Sequence, residues 1–308
     1  MATALASLDP FTGLGHVFGQ AYLRHAFLAG TAIALAAGLV GHFLVLRSQV
    51  FAGDTLSHVA FTGALAALVA GASLWVGLYG SCVAVGMLLA VLGTRGRADD
   101  TVIGSVFAWV LGIGALLLTV YATSRGASDA TAGVSVLFGS IFGLSGSQAQ
   151  ADAVVGAVVA MAVVVLGRPL LFASLDPTVA GARGVPVRTL DLAFLVLAGV
   201  TAGAATQAVG SLLLLGLVAA PAGAARHLTV RPFRALWISG GIAVASMWAG
   251  LAIAYAAPSL PPSFSIVAVS TGCFVAAAVA GSARRLRQGR SGRGVAGTDR
   301  TSPGGSVP

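Results

Sequence analysis

Nine apolar runs separated by short polar segments make up most of this chain. Most are long enough to cross a hydrocarbon layer of about 30 Å as a helix. The runs lie at 26–46, 58–72, 74–93, 101–123, 150–167, 190–206, 208–225, 235–256 and 264–283. Because the second run is short and the break near 71–73 is thin, a count between eight and ten stays open. The pattern predicts an all-α, polytopic integral membrane protein.

The composition agrees with this pattern. The chain is 57% hydrophobic and only 8% charged, with a mean hydropathy of +0.95, whereas soluble domains carry about a quarter charged residues. We therefore predict one transmembrane domain at 22–285, surrounded by membrane lipid. Residues 1–21 are expected to form a tail or interfacial segment. Residues 286–308 are rich in Gly, Ser, Arg and Pro and are expected to be a disordered cytoplasmic tail.

Arginines orient the predicted spans, because basic residues concentrate in cytoplasmic loops. They follow every second span: Arg47, Arg95, Arg97, Arg168, Arg183, Arg188, Arg226, Arg231, Arg234, Arg284, Arg285 and Arg287. This alternation predicts nine spans in the cell membrane, with the C-terminus in the cytoplasm. The net charge of +8 is thus explained by topology, and no nucleic-acid partner is expected. Outside the cell, the apolar stretch 134–144 is too short to span and is predicted to form a re-entrant or surface-lying helix.

The acidic and basic residues are all of one type each. All 17 basic residues are Arg and all 9 acidic residues are Asp. A phosphate-binding P-loop needs a Lys, and a zinc-protease helix of the His-Glu-x-x-His type needs a Glu. The chain is therefore not expected to be an enzyme, and any ATP-driven step must be powered by another chain.

One polar pair stands out where the second apolar run begins. Residues 53–58 read Gly-Asp-Thr-Leu-Ser-His, so Asp54 and His58 would share one face of a helix, one turn apart. Carboxylate oxygen and imidazole nitrogen are both good ligands for divalent transition metals. From the residues alone, a metal contact and a local hydrogen-bonded pair that steadies the helix both remain open.

A short helix is predicted in the cytoplasmic loop after the fifth span. Asp176 suits the N-cap and Pro177 the first helical position. Arg183 would sit in the last turn and Gly184 just beyond it, about seven residues after the start. Local chemistry does not separate an ordinary capped loop helix from a docking element for a cytoplasmic partner.

The other polar residues of the spans have simpler interpretations. Asp152 and Asp191 lie at span starts, which leaves Asp54 nearly alone as an intramembrane carboxylate. His42 is expected to be a satisfied interior histidine, with a role in the transport path as the alternative. Gln207 is expected to bond across helices, again with a path role as the alternative.

Three stretches together resemble the permease subunits of ATP-binding-cassette importers for zinc and manganese. The first is Leu-Val-Leu-Arg at 44–47, leading into the Gly-Asp-x-x-x-His motif at 53–58. The second is 172–187, with its Asp-Pro and Gly-Val pairs. The third runs from Ala-Val-Gly at 208–210 to Pro-Ala-Gly-Ala-Ala at 221–225, and Leu-Phe-Gly at 137–139 is a weaker match. Two departures are His42, where small or apolar residues are common, and Gly223 in place of a usual Ala.

The resemblance covers about 22–284 and implies a fold of the larger type, similar to vitamin B12 and siderophore permeases. It implies a homodimer of permeases, an ATP-binding subunit docked on a helix that includes Asp176, Pro177, Ala180, Arg183 and Gly184, and an extracytoplasmic metal-binding protein. Asp54 and His58 match residues that hold the passing ion in relatives. The cargo would be Zn²⁺ or Mn²⁺, with zinc favoured, and no cofactor would be bound permanently.

Two other functions were weighed against this one. A secondary, proton-coupled divalent metal transporter would carry several intramembrane carboxylates as a relay, and the expected isolation of Asp54 argues against it. An intramembrane metalloenzyme would need about three protein ligands and a general base, and the chain has too few candidates at suitable spacings.

Overall fold

The computed structural model describes residues 20–93, 100–125 and 137–295, with side chains described up to residue 123 in the second range and residue 282 in the third. Within these ranges all regular secondary structure is helical. The helices are α1 (Ala21–Leu46), α2 (Val50–Ala70), α3 (Leu74–Leu92), α4 (Asp100–Arg125), α5 (Gly146–Leu175), α6 (Pro177–Ala182), α7 (Val187–Val209), α8 (Leu214–Leu228), α9 (Pro232–Ala256) and α10 (Pro262–Val295). A 3₁₀ turn, Ile141–Gly143, lies between α4 and α5.

Each of the nine predicted spans coincides with one of these helices, and α6 is the short loop helix. Eight helices of the described ranges are long and apolar enough to cross a membrane, whereas α8 has only 15 residues. The all-α, multi-pass fold is therefore confirmed. Helix α2 begins at Val50, eight residues before the predicted start of its span. The apolar run starts later than the helix because polar residues can also be helical.

The last helix also differs from its predicted bounds. It continues to Val295, so residues 286–295 are helical although the sequence predicted disorder for 286–308. Residues 296–308 lie outside the described ranges, as do 1–19 of the predicted N-terminal tail.

Helix α1 is the centre of the bundle and packs against α5, α8 and α9. Small residues allow these close approaches, as is usual between membrane helices. A Cβ on Gly41 would lie 2.1 Å from the carbonyl oxygen of Val218 in α8, and one on Gly38 would lie 2.8 Å from that of Ser239 in α9. The Ser239 hydroxyl donates to the carbonyl of Gly38 at 2.7 Å. The backbones of α1, α8 and α9 are thus nearly in contact.

The link between α7 and α8 is held by the segment before α5. Because α8 rises only about 22 Å, we infer that this link lies within the apolar layer, where irregular backbone must be bonded inside the protein. The Ser140 amide donates to the Gln207 carbonyl at 3.2 Å, and the Ser263 hydroxyl donates to the Phe138 carbonyl at 2.5 Å. Gly210, with φ of +93°, allows the link between α7 and α8 to touch the segment before α5.

The predicted helix at 134–144 is only partly described. Residues 134–136 lie outside the described ranges, and the remainder contains the 3₁₀ turn Ile141–Gly143 but no α-helix that continues through 144. Ile141 is buried against the core, whereas Phe138 is 51% exposed, so this stretch is anchored to the bundle at one side and open on the other.

Candidate functional site

Asp54 lies in the second turn of α2 and His58 in the third, and both side chains are half-buried. The helix is continuous between them, so the carboxylate and the imidazole occupy the same face, one turn apart. Both residues therefore lie within the helix, whereas the apolar run, which begins at 58, placed them at its start.

The other faces of α2 are anchored to its neighbours. The Ser57 hydroxyl lies 3.1 Å from the carbonyl oxygen of Ser211, in the link between α7 and α8, and 2.7 Å from that of Asp54. The Cys82 thiol of α3 donates to the Leu56 carbonyl at 3.5 Å. These contacts set the rotation of α2 about its axis, which turns Asp54 and His58 toward α4.

A cavity of about 370 Å³ lies between the first turns of α2 and α4. The α2 residues on its wall include Asp54, and the α4 residues include Asp100 and Phe107. The rings of His58 and Phe107 meet edge to face, with centroids 5.3 Å apart. Asp100 directly precedes the predicted span at 101–123; in the structure it is the first residue of α4 and adds a second carboxylate to the cavity.

One chain provides only part of a metal site here. Among the described residues no three His, Cys, Asp or Glu side chains lie close enough together to hold an ion. Four-coordinate zinc uses four ligands, and manganese prefers more, largely oxygen, ligands. Asp54 and His58 can therefore hold a transition metal only together with water or with ligands from a second chain.

His42 and Gln207 were the two further candidates. His42 is buried in α1, and neither ring nitrogen has a hydrogen-bond partner among the described residues. The predicted interior position of His42 is confirmed, but no protein group among the described residues satisfies its ring nitrogens. Gln207 lies near the end of α7 and accepts the Ser140 amide through its main-chain carbonyl. Neither residue lines the cavity beside Asp54.

The predicted cytoplasmic helix is present as α6. The Asp176 carboxylate accepts the Val179 amide at 2.9 Å, and Pro177 is the first helical residue. Arg183 is the C-cap, and Gly184 follows with φ of +82°, a conformation that favours glycine. The helix has six residues, close to the expected seven.

Only one side chain of α6 is buried. Ala180 is completely buried, whereas Val179 is 43% and the preceding Leu175 61% exposed. A groove of about 510 Å³ lies beside α6, lined by Pro177 and Gly181 on one side and by Arg188 of α7 on the other. Helix α6 therefore presents a mixed apolar and basic surface outside the bundle.

A buried charged cluster that the sequence did not predict lies at the same end of the bundle. Arg47, Asp191 and Phe194 were not expected to meet. Arg47 forms an ion pair with Asp191 of α7 and donates from Nε to the Ser174 hydroxyl of α5 at 2.8 Å. Its guanidinium also lies 4.7 Å from the centre of the Phe194 ring. Arg47 and Asp191 are only 3% and 4% exposed, so Arg47 is not the solvated loop residue that the charge pattern indicated.

A second buried carboxylate was also misplaced. Asp152 lies in the second turn of α5, completely buried, and accepts a hydrogen bond from the Tyr79 hydroxyl of α3 at 2.9 Å. The prediction that Asp54 is nearly the only carboxylate within the spans was therefore wrong. Asp152 and Asp191 are single acidic residues in apolar runs, a signal of an interior polar contact, but the sequence does not name their partners.

Relatives of known name share most of this chain. It is 28% identical to the manganese transport system membrane protein MntC of Halalkalibacterium halodurans, over 76% of this chain and 79% of the relative. It is 28% identical to the manganese import system permease protein ScaB of Streptococcus parasanguinis, over 76% and 82%. A probable iron transport system membrane protein of Haemophilus influenzae is 26% identical, over 76% and 84%.

Solved structures show the same fold. PsaBC from Streptococcus pneumoniae, in complex with Fab, superimposes with a TM-score of 0.74 at 23% identity, covering 86% of this chain and 93% of the other. An inward-facing putative metal-chelate type ABC transporter gives 0.68 at 15% identity, covering 89% and 90%. The family model for the ABC 3 transport family matches residues 20–281. Since this match takes in all of the helical bundle except the end of α10, the chain belongs to the ABC 3 transport family.

Proposed function

We propose that this chain is the permease subunit of an ATP-driven importer of a divalent transition metal, and that Asp54 and His58 contact the ion. The observation that carries this proposal is their position: both lie half-buried on one face of α2, with Asp54 on the wall of the cavity between α2 and α4 and His58 against Phe107 of the same wall. Ionisable side chains inside a membrane bundle are costly, and those that are present usually mark the pathway of an ion or substrate.

The incomplete ligand set suits transport. A homodimer of permeases around a two-fold axis would bring two carboxylates and two imidazoles together, enough for four-coordinate Zn²⁺ or part of a Mn²⁺ shell. Because the ion has to leave again, a site completed only between two subunits can bind it in one arrangement and release it in another.

The energy would come from a separate ATP-binding subunit. The chain has no Lys for a P-loop, and α6 provides an exposed, capped helix on which such a subunit can dock. Residues Asp176, Pro177, Ala180, Arg183 and Gly184 would form that contact. An extracytoplasmic metal-binding protein would deliver the ion to the permease on the membrane face opposite the ATP-binding subunit.

The cargo follows less directly from the residues. One oxygen and one nitrogen ligand per chain suit both zinc and manganese. The sequence favoured zinc, whereas several relatives carry manganese in their names and one carries iron. We therefore propose a divalent transition metal as cargo. The relative uptake of Mn²⁺ and Zn²⁺ is the quantity that decides between them.

Uptake by proteoliposomes tests the proposal. The permease is reconstituted with its ATP-binding subunit, and entry of Mn²⁺ and Zn²⁺ is measured singly and in competition, with the metal-binding protein outside and ATP inside. We expect uptake that needs ATP and both partner proteins. Uptake by the permease alone, driven by a pH gradient, would instead support a secondary transporter and overturn the proposal.

The site is tested in the same assay with a matched pair of histidine variants. We expect His58→Ala to remove uptake, whereas His227→Ala, which changes an exposed histidine at the cytoplasmic end of α8, should leave it unchanged. Normal uptake by His58→Ala at limiting metal would show that the imidazole does not contact the ion.

A further inference from the structure

The cluster of Arg47, Ser174 and Asp191 joins three helices at the cytoplasmic end of the bundle. Arg47 follows α1, Ser174 lies in the last turn of α5, and Asp191 lies in the second turn of α7. Helix α6 connects α5 to α7, and its N-cap Asp176 comes two residues after Ser174. The cluster therefore holds both ends of the segment that carries α6.

The same arginine is tied closely to α2. Only Ser48 and Gln49 separate Arg47 from the first residue of α2. The Gln49 amide donates back to the Leu44 carbonyl at 2.8 Å, and the Gln49 carbonyl accepts the Ala52 amide at 3.0 Å. Ser48 has φ of +58°, which few residues other than glycine adopt. This tight, hydrogen-bonded turn restricts the movement of the start of α2, and so of Asp54, relative to Arg47.

We propose that Arg47 is a positioning residue that transmits movement of the docking helix α6 to the start of α2, and so to Asp54 and His58. This inference rests on the proposed function for the roles of its two ends. ATP-driven displacement of α6 moves the ends of α5 and α7, and the Arg47 side chain, bonded to both helices, carries α1 and the first turn of α2 with them.

The chemistry of the cluster explains why an arginine is suited to this task. Interfaces between apolar membrane helices depend on packing, and such surfaces can slide without breaking a specific bond. The planar guanidinium binds Ser174 through Nε and Asp191 through Nη1, with Phe194 against its face. A rigid fork with fixed donor directions sets the relative position of the helices, which packing alone does not.

The bond from Arg226 provides a natural control. Its guanidinium donates to the Val45 carbonyl of α1 at 3.2 Å, but the residue is exposed and makes no described contact with α5, α6 or α7. Arg226→Met removes an arginine of α8 that bonds to the same end of α1 but leaves the cluster unchanged, so transmission should stay intact.

The main test uses the double variant Arg47→Met/Asp191→Leu in the full importer. Removing both charges together avoids an unpaired buried charge, and such exchanges often leave stability unchanged or improved. Assembly, thermal unfolding and ATP hydrolysis should stay near wild-type values. Metal imported per ATP hydrolysed should fall by about 5- to 150-fold, the usual range of coupling between two sites. Arg47→Lys, which keeps the charge but not the fork, should fall between.

Two results would overturn the inference. One is an unchanged ratio of metal to ATP in the double variant. The other is a parallel loss of assembly, uptake and hydrolysis, which would make the cluster a structural anchor only.

A second measurement does not depend on the cargo. Amide hydrogen exchange at 48–54 should change between the ATP-bound and nucleotide-free wild-type importer, and this change should disappear in the double variant but persist in Arg226→Met. A response that persists in the double variant would overturn the inference. Normal uptake by Asp54→Ala would contradict the proposed metal site without affecting this measurement, so the two failures are distinguishable.

Discussion

Two acid–base pairs, Asp54 with His58 and Arg47 with Asp191, differ in their surroundings. Asp54 and His58 are half-buried beside a cavity, and together they leave a metal site incomplete. Arg47 and Asp191 are buried, in direct contact, and bonded to further groups on neighbouring helices. An ion that must arrive and leave needs the first kind of environment, whereas helices that must move together need the second.

The largest expected effect is on the open pair. Asp54→Ala or His58→Ala should abolish metal uptake while the permease still assembles in the membrane, because each removes a proposed ligand of the ion and His58→Ala costs only one ring contact, with Phe107. Loss of a direct ligand should exceed the about 10- to 100-fold that outer groups contribute. Uptake in proteoliposomes at limiting metal measures it, and near-normal uptake in both variants would remove the open pair from the comparison.

The next largest effect is on the closed pair. Arg47→Met alone should destabilise the bundle by about 3–5 kcal/mol, because it leaves the Asp191 carboxylate buried without its charge partner. Thermal unfolding in detergent, with Arg226→Met as the control, measures this. A stability equal to that of the double variant Arg47→Met/Asp191→Leu would mean that the buried carboxylate is neutral or solvated, contrary to the closed environment described above.

A smaller effect is expected at α6, the proposed docking helix, whose segment is joined to the closed pair. Asp176→Ala removes the N-cap of α6 and should cost about 1 kcal/mol of local helix stability, weakening binding of the ATP-binding subunit about fivefold. Thr178→Ala, an exposed change in the same helix, is the matched control. Pull-down titration with the ATP-binding subunit measures both, and equal affinities would separate α6 from the docking surface.

The smallest effect concerns the second carboxylate of the cavity. Asp100 is exposed at the start of α4, so its charge acts on an ion beside Asp54 mainly through solvent, worth about 0.2–1 kcal/mol. Asp100→Asn should lower uptake at limiting metal by about one and a half to fivefold. An effect as large as that of Asp54→Ala would make Asp100 a direct ligand and would extend the open site into α4.

The positions of the apolar runs were sufficient to predict the helices but not their ends. Polar backbone exposed to lipid is costly, so each span must be a helix covered by apolar side chains. Such an apolar run can be read from the local sequence. The true start of α2 at Val50 and the end of α10 at Val295 depend on where helices continue beyond the apolar layer, and hydropathy does not report this. The α6 cap was predictable because Asp176, Pro177 and Gly184 act on neighbouring backbone.

What the sequence alone determined is local: an all-α membrane bundle, a capped loop helix, and one face of α2 that carries Asp54 and His58. Only the tertiary structure decided which polar residues meet across helices. Arg47 is 144 residues from Asp191, and Tyr79 is 73 residues from Asp152, so no spacing rule connects them. Contacts within one helical turn are fixed by backbone geometry, whereas contacts between helices depend on how the whole bundle packs.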